Sequence, residues 1–181
     1  LAACEGGPPP IINSVTLEGE RLAAVLPMAL DSGASVIALA IDDAGMPADA
    51  AQRSDTALRL VERLAAEGIS GERVFVDPVV TPLGTAHDAA AQVCEAIRTI
   101  REEATGCHII CGLSNVSFGL PQRALLNQVF LAQAIFNGLD AAILDPLDDA
   151  IMQTVFAAEA LAGRDEWCMN YIAAHRDGRL G

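Results

Sequence analysis

Lysine is absent from the 181-residue sequence, so all 11 of its basic residues are arginines. A chain without lysine has no side-chain ammonium for a Schiff base and lacks the lysine with which a P-loop holds phosphates. Acidic residues outnumber basic ones 24 to 11, and the formal net charge is −13. This charge argues against a nucleic-acid backbone or an anionic membrane surface as the partner.

The sequence also lacks long uncharged hydrophobic runs and cysteine pairs of the C-x-x-C type. Although 52% of its residues are hydrophobic, no run of about 18 uncharged apolar residues is present to span a bilayer. The five cysteines are an odd number and follow no signal segment, which predicts reduced thiols in a cytoplasmic protein. Cys107 and Cys111 would share one face of a strand while His108 points to the other, so buried small side chains are favoured over a zinc site.

Short apolar runs alternate with helix-length segments along the chain. The apolar runs cover residues 10–12, 35–41, 73–76, 107–113 and 141–144, and the last four are nearly continuous in hydrophobicity. Such runs are typical of parallel strands buried on both faces. Amphipathic helices are predicted for residues 51–67, 89–103, 122–136 and 149–161; in the first, Leu60 and Leu64 form the apolar stripe and Arg53 lies off it. The alternation predicts an α/β fold built on a parallel sheet.

A small polar or acidic residue follows each apolar run, one βα unit after the previous one. These residues are Asn13, Asp42, Asp77, Asn115 and Asp145. Carboxyl ends of parallel strands share one rim, which carries the active site in a (β/α)8 barrel. Because a complete barrel takes about 250 residues, five units would form about five-eighths of one. An independent doubly wound α/β domain is the alternative architecture.

The side chains of the predicted rim suit a flat heterocycle. Carboxylates accept hydrogen bonds and carboxamides both donate and accept, so together they can read the N–H and C=O groups along the edge of a ring. Gly112 allows a flat ligand to approach the backbone closely, and Ser114 adds a hydroxyl. A magnesium site is the competing interpretation for the carboxylates, and its candidate ligands are Asp42, Asp43, Asp77 and Asp145.

Several segments resemble the pterin-binding methyltransferase family. The most specific is GLSNVSFGLP at residues 112–121, and it is supported by INSV at 12–15, DDAGMP at 42–47 and VDP at 76–78 in the family order. Family members include methyltetrahydrofolate:corrinoid/iron–sulfur-protein methyltransferases and the folate module of cobalamin-dependent methionine synthase. The resemblance implies a TIM barrel, with residues 1–181 as the C-terminal part of one barrel domain. The chain would then supply strands four to eight, with residues 1–4 as the tail of a preceding helix and the N-terminal units missing.

The resemblance also implies a reaction in one-carbon metabolism and a set of site residues. The N5 methyl group of 5-methyltetrahydrofolate would move to the cobalt of a corrinoid, a cobalamin-type cofactor carried by a partner protein. Asn115 matches the catalytic asparagine that hydrogen-bonds the pterin near N5. Asn13 and Asp77 match residues that bind the pterin ring, and Gly112 and Ser114 match positions that line the same pocket.

Arg123 is a further candidate, for the carboxylates of the folate tail. A guanidinium binds a carboxylate with two hydrogen bonds, but an arginine at the start of a helix is also an ordinary surface residue. Ser117 and Phe118 lie in the same loop. Asp145 and Asp148 are expected to cap the helix that follows them.

Two alternatives stay open besides the methyltransferase. One is an enzyme like dihydropteroate synthase, although that family uses a lysine-containing basic cluster, which this sequence does not have. The other is a truncated, non-catalytic folate-binding module; a metal-dependent aldolase is a more distant possibility. Because five units leave the pocket without one wall, we expect weak or no transferase activity from this chain alone. We also expect a homodimer and no metal bound by this chain.

Overall fold

Five strands form a single parallel sheet in the part of the chain that the structure describes. The computed structural model describes residue 4 and residues 7–181, so the helix tail expected at residues 1–4 falls almost entirely outside the described residues. The strands are β1 (Ile11–Val15), β2 (Ser35–Leu39), β3 (Val74–Asp77), β4 (His108–Gly112) and β5 (Ala141–Ile143). All five predicted strands are therefore present.

The strands lie in the sheet in the order in which they occur along the chain, β1-β2-β3-β4-β5, and each pairs in parallel with the next. Right-handed crossovers that all progress in one direction place every connecting helix on the same face of the sheet. A doubly wound sheet instead reverses direction at a switch point and carries helices on both faces. The architecture is therefore part of a (β/α)8 barrel wall, and the doubly wound alternative is wrong.

Helices follow the strands as the alternation predicts, with two additions. The helices of the described residues are α1 (Gly19–Ser32), α2 (Ala50–Ala66), α3 (Ala89–Glu103), α4 (Arg123–Asn137), α5 (Asp149–Leu161) and α6 (Met169–Arg176). The sequence did not predict α1, which contains Pro27, or α6, which follows two residues with positive φ, Trp167 and Cys168. Among the described residues, no helix combines the length and the apolar character needed to cross a membrane.

The hydrophobic core lies between the sheet and the helix layer. Alternate strand residues, including Val76 and Cys111, pack in it with Leu60 and Leu64 of α2. The remaining strand residues face the opposite, concave side of the sheet, where His108 stacks on Phe75 with ring centroids 4.7 Å apart. The cysteine and histidine side chains thus lie on opposite faces, as predicted.

Two strand ends differ from the predictions. β1 continues to Val15, so Asn13 lies within the strand, beside an irregularity in the pairing with β2. β2 ends at Leu39, and Asp42 therefore lies in the following loop. There the Asp42 carboxylate accepts a hydrogen bond from the N–H of Ala44 at 3.0 Å and pairs with Arg59 at 3.3 Å. The polar residues after the strands are thus not all at one level of the rim.

Candidate functional site

Asp77 is a buried carboxylate at the carboxyl end of β3. Asp77 is 9% exposed. The residues of β3 alternate, so that Val74 and Val76 lie in the core while Asp77 faces the concave side of the sheet. Burial raises the pKa of Asp77 to about 6, although the hydrogen bond from the Val79 N–H and the charge of Arg53 act in the opposite direction. The Val79 N–H donates to Oδ1 at 2.8 Å. Asp77 is therefore a fixed acceptor that is mostly ionised at neutral pH.

Asn115 lies over the end of the neighbouring strand. β4 ends at Gly112 and continues directly into a short 3-10 turn, Leu113–Asn115, which returns the asparagine toward the strand. A Cβ at position 112 would lie 3.2 Å from the Asn115 Nδ2 atom. The missing side chain of Gly112 therefore makes room for the Asn115 amide. Asn115 itself is exposed, so its amide is available to a ligand at the mouth of the barrel wall.

Asn13 lies on the same concave face, farther along the sheet. It pairs in register with Ile37 of β2, and Ile37 alternates with the core residues Val36 and Ala38. β1 and β3 are separated by one strand, so Asn13 and Asp77 lie on strands about 10 Å apart. The structure thus places Asn13, Asp77 and Asn115 on one face of the sheet. Their roles toward a ligand stay predictions.

Arg123, the first residue of α4, anchors the loop that carries Asn115. Its Nε donates to the Ser117 hydroxyl at 3.1 Å, and its Nη2 donates to the Ser114 carbonyl at 2.8 Å. The guanidinium carbon also lies 6.0 Å from the centre of the Phe118 ring. Arg123 is therefore tied to the loop and is not a freely solvated surface residue. Binding of a folate carboxylate by its remaining donors stays a prediction.

The other rim carboxylates have local structural partners. Asp148 caps α5 by accepting from the N–H of Ile151 at 3.2 Å, as predicted. Asp145 accepts from the N–H of Leu147 at 2.9 Å, so it caps the preceding turn and not the helix itself. Within the part of the chain that the structure describes, no three His, Cys, Asp or Glu side chains meet as a possible metal site. The magnesium alternative thus finds no ligand cluster among these residues.

Two polar residues with buried side-chain atoms near the rim are not among the site residues predicted from the sequence. Asn127 of α4 lines a cleft of about 300 Å³ between the ends of β4 and β5, together with Ser114 and Asp145. Its buried Oδ1 atom has no hydrogen-bond partner among the described residues. Arg53 of α2 is 2% exposed, although its position off the apolar stripe had indicated a solvated side chain. Only the three-dimensional packing shows that Arg53 reaches the loop beyond β3.

Comparisons with known proteins agree with this geometry. A family described as pterin binding enzyme matches residues 1–145. The chain is 35% identical over 175 residues to a methylcorrinoid:tetrahydrofolate methyltransferase of Eubacterium limosum, covering 96% of this chain and 65% of that protein. It is 31% identical over 145 residues to the methionine synthase of Mycobacterium tuberculosis, covering 74% of this chain and 12% of that protein. The corresponding enzyme of Mycobacterium leprae is 29% identical over 146 residues. The chain thus spans less than two thirds of the length of these curated relatives.

Proposed function

Because the chain belongs to the pterin-binding enzyme family, we propose that it binds a tetrahydrofolate and takes part in methyl transfer between N5 of the folate and the cobalt of a corrinoid protein. The observation that carries this proposal is the rim on which the buried Asp77 carboxylate and the Asn115 amide face the same side of adjacent strands. A relative named for methyl transfer between a methylcorrinoid and tetrahydrofolate supports it.

The pterin would be recognised through its hydrogen-bonding edge. The Asp77 carboxylate accepts from ring N–H groups, and its position is fixed by the Val79 N–H. Asn13, on the same face, supplies a carboxamide from the other side of β2. The missing side chain of Gly112 leaves room for the Asn115 amide at the strand end, and Ser114 adds an exposed hydroxyl at the edge. This face of the sheet therefore combines a charged acceptor with groups that both donate and accept.

The chemical demand on these residues is stabilisation of charge at N5. A tertiary amine is a poor leaving group, so N5 must gain positive character through protonation or hydrogen bonding before the methyl group leaves. Asn115 has no titratable proton and acts by strengthening a hydrogen bond at N5 as charge develops there. The corrinoid, held by the partner protein, supplies the metal centre that exchanges the methyl group. This chain then needs no nucleophile of its own.

The direction of transfer does not change the role of these residues. The family resemblance predicts transfer from 5-methyltetrahydrofolate to cobalt, whereas the name of the Eubacterium relative gives transfer from the methylcorrinoid to tetrahydrofolate. Forward and reverse reactions pass through the same transition state, so the groups that stabilise one direction stabilise the other. We propose the direction from 5-methyltetrahydrofolate to cobalt. We also propose that residues 1–181 are the C-terminal part of one barrel domain, and that the protein is cytoplasmic and forms a homodimer.

The test combines folate binding with a transfer assay. Titration calorimetry with tetrahydrofolate and 5-methyltetrahydrofolate should show binding, and replacement of Asn115 by Ala should lower the transfer rate to a corrinoid more than it lowers folate affinity. Asn137→Ala is the matched control, because Asn137 lies at the C-terminal end of α4, away from the rim, where its amide donates to the Gln133 carbonyl. Folate binding without transfer in every variant would favour the non-catalytic module. Absence of binding to both folates would contradict the proposal. Condensation of a pterin pyrophosphate with p-aminobenzoate would favour the synthase alternative.

A further inference from the structure

We propose that Arg53 is the positioning residue for Asp77, because it holds the turn after β3 in the conformation that directs a backbone N–H at the Asp77 carboxylate. Arg53 lies on α2, outside the rim, and it reaches this turn from the helix layer. The inference rests on the proposed function only in its last step, in which the placement of the Asp77 carboxylate governs pterin binding.

The contacts of Arg53 converge on three residues of one loop. Nη1 donates to the carbonyl of Pro78 at 3.1 Å and to the carbonyl of Val79 at 2.7 Å, and Nη2 donates to the Thr81 hydroxyl at 3.2 Å. The residue is 2% exposed, so these bonds are shielded from water. A rigid planar fork of donors can hold two carbonyls and a hydroxyl at once, which the single ammonium of a lysine cannot match.

The turn that Arg53 holds contains an unfavourable backbone conformation. Val79 has φ 65°, in the left-handed region that β-branched residues rarely adopt. In this conformation the Val79 N–H points back to Oδ1 of Asp77 at 2.8 Å, while its carbonyl points to Arg53. One residue thus connects the guanidinium to the carboxylate. The surrounding bonds must stabilise such a conformation for it to persist, and Arg53 supplies two of them at the Pro78 and Val79 carbonyls.

Charge acts in the same direction as geometry. Among the described residues, Arg53 from α2 is the charged group that acts on Asp77, and Asp49 at the start of α2 acts in turn on Arg53. Burial and, to a lesser extent, the charge of Asp77 raise the pKa of the Cys111 thiol on β4, which stays neutral beside the carboxylate. Burial raises the pKa of Asp77 to about 6, and both the Val79 N–H and the Arg53 charge oppose that rise. Loss of Arg53 weakens both opposing effects, so the Asp77 pKa should rise further. More of the carboxylate would then be protonated at neutral pH and unable to act as a full acceptor.

The experiment measures Asp77 directly, by titration of ¹³C-labelled aspartate carboxyl groups in NMR spectra, with Asp77→Asn assigning the signal. In Arg53→Gln the midpoint should rise by about one pH unit or more. Arg53→Lys keeps the charge without the fork, so its midpoint should fall between wild type and Arg53→Gln. Arg63→Gln, on the exposed side of α2 where Arg63 pairs with Glu67, is the control and should leave the midpoint unchanged.

A second substitution separates the turn from the charge. Glycine adopts positive φ without the steric penalty of valine, so Arg53→Gln/Val79→Gly should recover part of the wild-type midpoint and of the tetrahydrofolate affinity. If Arg53→Gln does not fold, Arg53→Lys is compared with Arg53→Lys/Val79→Gly, and the glycine should again lower the midpoint.

Three results would overturn the inference: an unchanged midpoint in folded Arg53→Gln, wild-type behaviour of Arg53→Lys, or no recovery on adding Val79→Gly. The expected midpoints together with no folate binding by the wild-type chain would instead refute the proposed function and leave the role of Arg53 intact.

Discussion

Replacing Gly112 by alanine should impair the site while leaving the fold intact. Gly112 has φ −75° and ψ 96°, which an alanine adopts without strain, and the added Cβ would meet Asn115 Nδ2 at 3.2 Å. Ordinary contacts of a Cβ begin at 3.4 Å, so the amide must move by at least a few tenths of an ångström. A misplacement of about 1 Å at a reacting centre costs roughly 100-fold in rate. We therefore expect a loss of about three- to tenfold in kcat/KM.

The same change should leave stability nearly unaffected, or raise it by about 0.4–1 kcal/mol, because alanine has less freedom than glycine in the unfolded chain. The assay is methyl transfer beside urea unfolding of the same preparations. Gly84→Ala is the matched control, since its Cβ would meet no atom closer than 3.8 Å in a loop of the same rim. Full activity of Gly112→Ala would refute the role given to the bare strand end. A loss of activity matched by a loss of stability would refute it as well.

The remaining predictions concern the carboxylate and the loop. Burial raises the pKa of Asp77 in the folded chain from 3.8 to about 6, so the protonated carboxyl stabilises the folded state. This contribution to the free energy of unfolding is complete below pH 3.8 and is lost as the pH rises through 6. A rise of the pKa from 3.8 to about 6 corresponds to about 3 kcal/mol at most. Urea unfolding between pH 3.5 and 7.5 should therefore show a steeper decline of the free energy of unfolding in wild type than in Asp77→Asn, and equal slopes would contradict this prediction. Arg123→Ala should lower kcat at least several-fold with about 1 kcal/mol or less of lost stability, because Arg123 bonds to the exposed loop at Ser114 and Ser117. Stopped-flow transfer and thermal unfolding measure the two effects, and an unchanged kcat would refute the anchoring role.

The fold could be predicted from the sequence wherever the hydrophobic period was unbroken. The runs that became β2 to β5 and the helices between them have a strong period, whereas Pro27 interrupts the pattern of α1. The sequence pattern predicts an end of β1 at Ile12, because the polar residues Asn13 and Ser14 are typical of a loop, yet these two residues continue the strand to Val15. Strand ends are set by pairing with a neighbour, and a single sequence does not show that pairing.

In the candidate site as well, some residues can be predicted from the sequence and others cannot. Asn115, Asp77 and Gly112 lie in motifs that a family resemblance identifies, and the structure gives them a shared face. The buried position of Arg53 could not be predicted, because an arginine off the apolar stripe of a helix normally faces water. Its role depends on the conformation of Val79, and nothing in the sequence around Val79 signals a positive φ. Residues that act by binding backbone carbonyls are therefore difficult to recognise from composition or from hydrophobic periodicity.

The sequential order of the strands also makes the ligand a probe of folding. Asn13 and Asn115 are separated by 102 positions in the chain (13 to 115) and reach one surface only through three successive strand pairings. A molecule held by both stabilises all of those pairings together, by an amount that grows with the logarithm of its concentration above Kd. Bound folate should therefore slow hydrogen exchange in β1 and β4 by the same factor, and the outermost strand would then open only as part of a larger cooperative unit.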